Sequence, residues 1–265
     1  MNTKSSQSST NTQFFKEERQ AQIRRLVEER GQVTVLELSE LYKVSEATIR
    51  RDLEEMDGQW VRRAHGGAVR LERASKEPPV IQRIAEQVNE KVRIGIAAAA
   101  MIHEGETIFL GSGTTVREIA RHIPEDIHLT VITNSLPVVN ELAGRPMIEL
   151  IVIGGMLRPT ELSMVGHIAE QAIREFRADK VFMGMRAVDA QQGFTNDFLP
   201  ETMTDRAILA IAPQVIIVSD HTKFGRVSSV LVAPVSSVQK IITDSGTSPD
   251  CIEELRALGV EVIVV

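Results

Sequence analysis

Seven short apolar runs punctuate the later part of the chain: "TIFLG" from Thr107, "LTVIT" from Leu129, "IELIVIGG" from Ile148, "KVFMG" from Lys180, "QVIIVSD" from Gln214, "KIITD" from Lys240 and "EVIVV" from Glu261. Longer stretches with helical periodicity separate them. The runs read as strands. Strands that alternate with helices pair in parallel, because each crossover helix packs back on the sheet. Residues 83–265 are therefore expected to form an α/β domain with a mostly parallel sheet.

The chain ahead of these runs has a different texture. Residues 1–14 are rich in Ser, Thr, Asn and Gln, bury too little apolar surface to order themselves, and read as a disordered tail. Residues 15–72 read as short helices followed by a short alternating stretch, a small domain of their own. The stretch "RASKEPPVIQ", residues 73–82, combines charge with a proline pair and reads as a linker.

Within the small domain, Ile23, Leu26 and Val27 recur at helical spacing up to Gly31. A second helix begins after Thr34, a good N-cap, with Val35, Leu38 and Leu41 expected on its inner face. A third follows a short turn at Lys43 and Val44. Ser45 caps it, and Ile49, Leu53 and Met56 share one face. The opposite face carries Ala47, Thr48, Arg50 and Arg51. A helix of this kind fits the major groove of double-stranded DNA: small residues near its start allow close approach, and arginines reach phosphate or guanine. "VRRAHGGAVR" then reads as a hairpin, a basic wing with Arg62 and Arg63 before a His65–Gly66–Gly67 tip and Arg70 after it. The whole chain has a formal net charge of -6, so a nucleic-acid surface has to be local.

In the larger domain, "IFLGSGTTVREIA" joins a strand to a helix through small residues. Backbone N–H groups at a helix start attract anions, and the loop Ser112, Gly113, Thr114 and Thr115 adds hydroxyl donors, so it reads as a phosphate cradle. It lacks the Lys of a P-loop, and Leu110 stands where a nucleophile elbow has its first glycine. Further strand ends carry Thr133, Asn134 and Ser135, then Gly154 and Gly155, then Asp220 and Lys223. Ligands of open α/β sheets bind at such carboxyl ends. Lys223 can meet a phosphate, and Asp220 can accept from sugar hydroxyls.

The string "SEATIRRDL", Ser45 to Leu53, together with "RRAHGGAV", resembles the winged helix-turn-helix of DeoR-type transcription regulators. The resemblance places the motif at 34–53 and the recognition helix at Ser45–Asp57. Trp60 stands where the family carries an aliphatic residue. It extends from about Lys16 to Val265, and the larger domain is similar to the effector domain of these regulators, which is related to sugar-phosphate isomerases. It implies that the cradle, Asn134, Ser135, Gly155, Asp220 and Lys223 hold a phosphorylated sugar or related metabolite. Glu201 with Arg206 matches the family's Glu followed by a basic residue. One departure stands out: in "VFMGMRAVD", Arg186 occupies the place of an aspartate common to the family and its isomerase relatives, while Asp189 remains. Arginine stays protonated and cannot act as a base, so Arg186 is expected to hold a second anionic group instead.

The expectation is a DNA-binding regulator, a repressor of a carbohydrate operon controlled by a phosphorylated metabolite, without enzymatic activity or cofactor. The alternative is a sugar-phosphate isomerase with an N-terminal DNA-binding module; its carboxylate pair is not expected in the cleft. Paired half-sites on DNA call for a homo-oligomer, dimer or tetramer. The six histidines show no metal-ligand spacing, and the lone Cys251 forms no internal disulfide. No signal peptide or membrane-spanning run is evident, which points to the cytoplasm.

Overall fold

The computed structural model describes residues 15–58, 61–64, 66–70, 72–73 and 77–265. The expected tail at 1–14 lies outside these, as do Trp60, His65 and residues 74–76 of the expected linker. The chain divides into two compact units, Met1–Leu71 and Glu72–Val265.

In the first unit, α1 (Lys16–Arg30) stops at Gly31, whose φ of 79° suits a residue without a Cβ. A three-residue strand, β1 (Gln32–Thr34), leads into α2 (Val35–Tyr42), and α3 (Glu46–Met56) follows. Both caps form as the sequence predicts: Thr34 accepts from the Glu37 N–H at 3.1 Å and Ser45 from the Thr48 N–H at 3.2 Å. Strands β2 (Val61–Ala64) and β3 (Gly67–Arg70) make the wing, and β1 pairs with β3 to give the order β1-β3-β2, all antiparallel. One core of Ile23, Val27, Val33, Leu38, Ile49, Leu53, Met56 and Val61 holds helices and wing together. The expected inner face of α2 needs one correction. Leu41 is exposed and Tyr42 is buried instead, because residues 35, 38 and 42 complete one face at 3.6 residues per turn.

The second unit opens with β4 (Glu72–Arg73), then α4 (Val80–Arg83) and α5 (Val88–Ala99). The seven apolar runs become β5 (Thr107–Leu110), β6 (Leu129–Thr133), β7 (Ile148–Val152), β10 (Lys180–Met183), β13 (Gln214–Val218), β16 (Lys240–Thr243) and β17 (Glu261–Val264). They form one parallel sheet in the order β17-β16-β13-β10-β5-β6-β7. Between them run α6 (Thr114–His122), α7 (Leu136–Leu142), α8 (His167–Arg174), α9 (Leu199–Leu209) and α10 (Pro249–Ala257). Successive side chains of one strand serve opposite cores: Val181 and Met183 join Phe109, Ile217 and Ile241 on one face, while Phe182 joins Leu110, Ile216 and Ile242 on the other.

Short pieces decorate this sheet, antiparallel except for the parallel β14–β4 pair. Strands β8 (Met156–Arg158) and β9 (Ser163–Val165) form a hairpin. Strands β11 (Ala187–Asp189), β12 (Gly193–Asn196) and β15 (Val230–Ala233) form a small second sheet, and β14 (Arg226–Val227) pairs with β4. The strand order sets the site. The chain starts in mid-sheet at β5, moves outward to β7, then returns beside β5 as β10 and moves the other way. The loops after β5 and β10 therefore diverge and leave a crevice at the switch point.

Candidate functional site

On the first unit, the exposed side of α3 carries Glu46, Ala47, Arg50 and Arg51, with Thr48 half-buried. The hydroxyl of Ser45 lies 2.9 Å from that of Thr48, so both residues are engaged at the helix start, and Thr34 is likewise spent on a cap. Arg50 leans back on Glu46 at 2.9 Å, an exposed pair of small energetic weight that leaves the guanidinium easily redirected. In the wing, the backbone N–H of Arg63 donates to Asp57 at 2.9 Å while its side chain meets Glu54 at 3.2 Å. Arg62 is half-buried, and Gly66 sits at the tip with φ 83°. Gly67 is fixed by crowding, since a Cβ there would lie 2.0 Å from the Val33 carbonyl oxygen. What sequence reasoning missed is the brace behind this surface: Arg19 of α1 grips buried Asp52 of α3 through two bonds, 2.5 and 3.2 Å.

On the second unit, a cleft of about 340 Å³ opens at the switch point. Ser112, Gly113, Thr114 and Thr115 form one wall. Gly113 precedes α6 with φ 115° and no side chain among the described residues caps that helix, so its first-turn N–H groups, beside the cleft, have no intrahelical acceptors. Thr133 fastens the strand end behind, donating to the Leu110 carbonyl at 2.6 Å. Arg186 follows β10, and Asp220 and Lys223 follow β13, so these expected residues meet the cradle in one cavity, which Gly184 also lines. Asp220 also caps the 3-10 turn His221–Lys223, accepting from the Thr222 N–H at 3.0 Å.

Three expected residues are not brought in. Asn134 and Ser135 lie beneath β9, Asn134 exchanging bonds with the Met164 backbone (2.7 and 2.9 Å) and Ser135 bridging to Ser163. Gly155 packs against Ala169 and the Val165 carbonyl. The β8–β9 hairpin covers that strand end, so the convergence of strand ends expected from the sequence stops at β5, β10 and β13.

Glu77, Arg83, Lys91, Arg158, Glu161, Asn196, Glu201 and Asp205 all line the cleft. Arg158 pairs with Glu201 and stacks over Phe198, 4.6 Å from the ring centroid. Arg83 pairs with Glu161. Asn196 donates to Glu201 at 2.8 Å and Asp205 at 3.3 Å. Burial, reinforced by the charge of Glu201, pushes the Asp205 carboxyl well above its ordinary range. Burial also pushes Glu161 up to about 7, against the pull of Arg83. Lys91 is held below the usual lysine range, chiefly by burial, while donating to the Arg83 and Glu86 carbonyls at 2.6 Å each. The second oxygen of Glu201, Oε1, is buried without a hydrogen-bond partner among the described residues. A carboxylate cluster thus lines the cleft, contrary to the expectation that Arg186 leaves it without one. These residues come from sequence-distant helices and hairpins, and no spacing in the sequence connects them.

Comparison with known proteins agrees with this division. A family described as "DeoR-like helix-turn-helix domain" matches residues 19–74, and one described as "DeoR C terminal sensor domain" matches residues 86–245. The transcriptional repressor AccR of Agrobacterium fabrum is 35% identical over 233 residues, 87% of this chain and 90% of that protein. The glycerol-3-phosphate regulon repressor of Escherichia coli is 35% identical over 221 residues, 83% of this chain and 87% of that protein. Among solved structures, ribose 5-phosphate isomerase A of Methanocaldococcus jannaschii aligns with 52% of this chain and 55% of its own, at 16% identity and a TM-score of 0.39.

Proposed function

Because the chain belongs to the DeoR family of DNA-binding transcription regulators, we propose that it represses a carbohydrate operon and releases its operator when a phosphorylated sugar enters the cleft. The observation that carries the effector half is the cleft itself. A helix start bare of side-chain caps lines it, and within the same cavity Glu201 keeps a buried oxygen that lacks a donor among the described residues. A phosphate at Ser112–Thr115 satisfies the first. A sugar hydroxyl donating to Glu201 Oε1 satisfies the second, and Asn196 and Asp205 stand next to it. The relatives named as repressors support the sign of regulation.

The DNA half rests on α3 and the wing. Arg50 and Arg51 meet phosphate or base edges, Ala47 allows the approach, and Arg62, Arg63 and the Gly66 tip hold the flanking backbone. Ser45, Thr48 and Thr34 contribute by fixing the helix starts. The double variant Arg50→Ala/Arg51→Ala should lose operator affinity in a gel shift with an unchanged melting temperature; undiminished affinity would remove α3 from this role. Operator binding as a homo-oligomer in the cytoplasm completes the reading, and a monomer mass by light scattering at micromolar concentration would count against it. No helix among the described residues is long and apolar enough to cross a membrane.

The screen that tests the effector half is a thermal-shift series of phosphorylated sugars beside their unphosphorylated parents. Stabilisation by the phosphorylated form alone is expected; no stabilisation by any sugar phosphate would end this reading. A second reading, an isomerase, draws support from Glu161, a carboxyl brought to about 7 where a general base works well. We favour a sensor without turnover, because Arg186 stands beside these carboxylates and the named relatives are repressors. Product accumulating from the stabilising sugar phosphate would reverse that preference.

A further inference from the structure

The carboxylate of Glu77 lies inside the cleft at the meeting point of three cations. Arg186 Nη1 reaches it at 3.0 Å and Arg83 Nη1 at 3.2 Å, and Lys223 Nζ donates to it directly. The three come from separate places: the last turn of α4, the loop after β10 and the turn after β13. The sequence alone gives Glu77 no special standing, since it lies in the stretch expected as a linker, one residue ahead of the proline pair. Its side chain is 13% exposed, and that of Arg186 6%. Burial alone would raise the Glu77 carboxyl, but Lys223, Arg83 and Arg186 together bring it below the ordinary glutamate range. Glu77 is thus an anion held by its own chain.

Three cations converge on one carboxylate, and two of them reach further acids as well. Arg186 reaches a second acid, Asp197, at 3.0 Å, and Arg83 reaches Glu161. Glu161, titrating near 7, is only partly charged under ordinary conditions. Glu77 and the Ser112–Thr115 cradle line the same cavity, so an anion in the cradle and the Glu77 carboxylate face a common space.

We propose that Arg83, Arg186 and Lys223 form a second anion subsite, that Glu77 occupies it in the free protein, and that the effector displaces Glu77 with a second anionic group of its own. This rests on the reading of the cleft as the effector site. It narrows the effector to a sugar carrying anions at two positions: a bisphosphate, or a phosphorylated sugar acid. A sugar with one phosphate fills the cradle and leaves Glu77 in place. A ligand with two competes against a tethered carboxylate, and its affinity is reduced by that competition.

Inorganic phosphate is a suitable probe, being free of sugar stereochemistry. Calorimetric titration of the full chain should find one phosphate bound by the wild type, at the cradle. Glu77→Gln should bind two, and adding Lys223→Ala to it should remove the second. Glu77→Asp keeps the charge and so guards against a folding failure; its shorter stem should admit the second phosphate at least tenfold more weakly than Glu77→Gln. One phosphate in the wild type and in both Glu77 variants would overturn the second subsite and leave the cradle standing. No phosphate in any of them would overturn the cleft reading and the subsite together.

Discussion

Asp52 shows that a residue in a recognisable motif can serve the fold. It belongs to the Ser45–Leu53 string that marks a DNA reader, yet it faces inward, 2% exposed, and holds Arg19 of α1 in a two-bond pair. Removing one partner leaves the other charge buried alone, which costs about 3–5 kcal/mol. Asp52→Ala should therefore destabilise the first unit by that order in a urea melt, and a loss below about 1 kcal/mol would contradict the brace. Glu161 supplies a pH signature. Its carboxyl titrates at about 7 in the folded chain against about 4.3 when unfolded. Between these values the folded state binds the extra proton, so stability is fullest below the unfolded value and declines as pH rises through 7. Asp205, also raised, acts in the same direction, whereas lowered Glu77 acts only in more acid solution. Stability should fall between about pH 4.3 and 7, by at most about 1.4 kcal/mol per pH unit for each such proton. Glu161→Gln should flatten that fall, and an unchanged slope would show that Glu161 does not carry the proton.

Among the elements, what the sequence reveals depends on burial and length. All seven sheet strands are legible from apolar runs, which are unbroken where a strand such as β10 is covered on both faces, although the edge strands β7 and β17 leave residues exposed. The caps at Thr34 and Ser45 are legible because a short oxygen side chain ahead of an amphipathic run has a specific bond to make. Strands β1, β8, β9, β11, β12, β14 and β15 are hidden: they span two to four residues, too few for a period to register. The same rule governs the cleft. The Ser112–Thr115, Arg186 and Asp220–Lys223 loops each follow a legible strand, whereas Arg83, Arg158, Glu161 and Asp205 are brought in by helices and a hairpin, and Glu77 by irregular chain ahead of α4, whose placement only the fold decides. The wing offers a test at this scale. At Gly67 a Cβ would collide with the Val33 carbonyl, so β1 and β3 could not keep their spacing. At Gly66 nothing lies within 4 Å, and only the φ of 83° resists a side chain. Gly67→Ala should lower the melting temperature of the first unit clearly more than Gly66→Ala, whose cost is about 1–2 kcal/mol. Equal losses would mean that β1 is not clamped to the wing.

Across the whole molecule, a DNA-reading unit and a sensing unit share one chain, and the account stands on energetic coupling between their sites. Coupling of this kind is a free energy and is reciprocal: a metabolite that weakens operator binding is itself bound less tightly by the operator complex, by the same factor. The sheet order gives the sensing unit its cleft, and the stretch of chain just beyond the DNA-reading unit places Glu77 within it. The most direct test uses an operator fragment selected from a random DNA library and the metabolite found by thermal shift. Operator affinity is read by fluorescence anisotropy with and without saturating metabolite, at fixed salt because phosphate contacts make it salt-dependent. The account predicts operator affinity weakened by about 5- to 150-fold, the usual range of such coupling. Operator affinity that does not move while the metabolite saturates the cleft would contradict it.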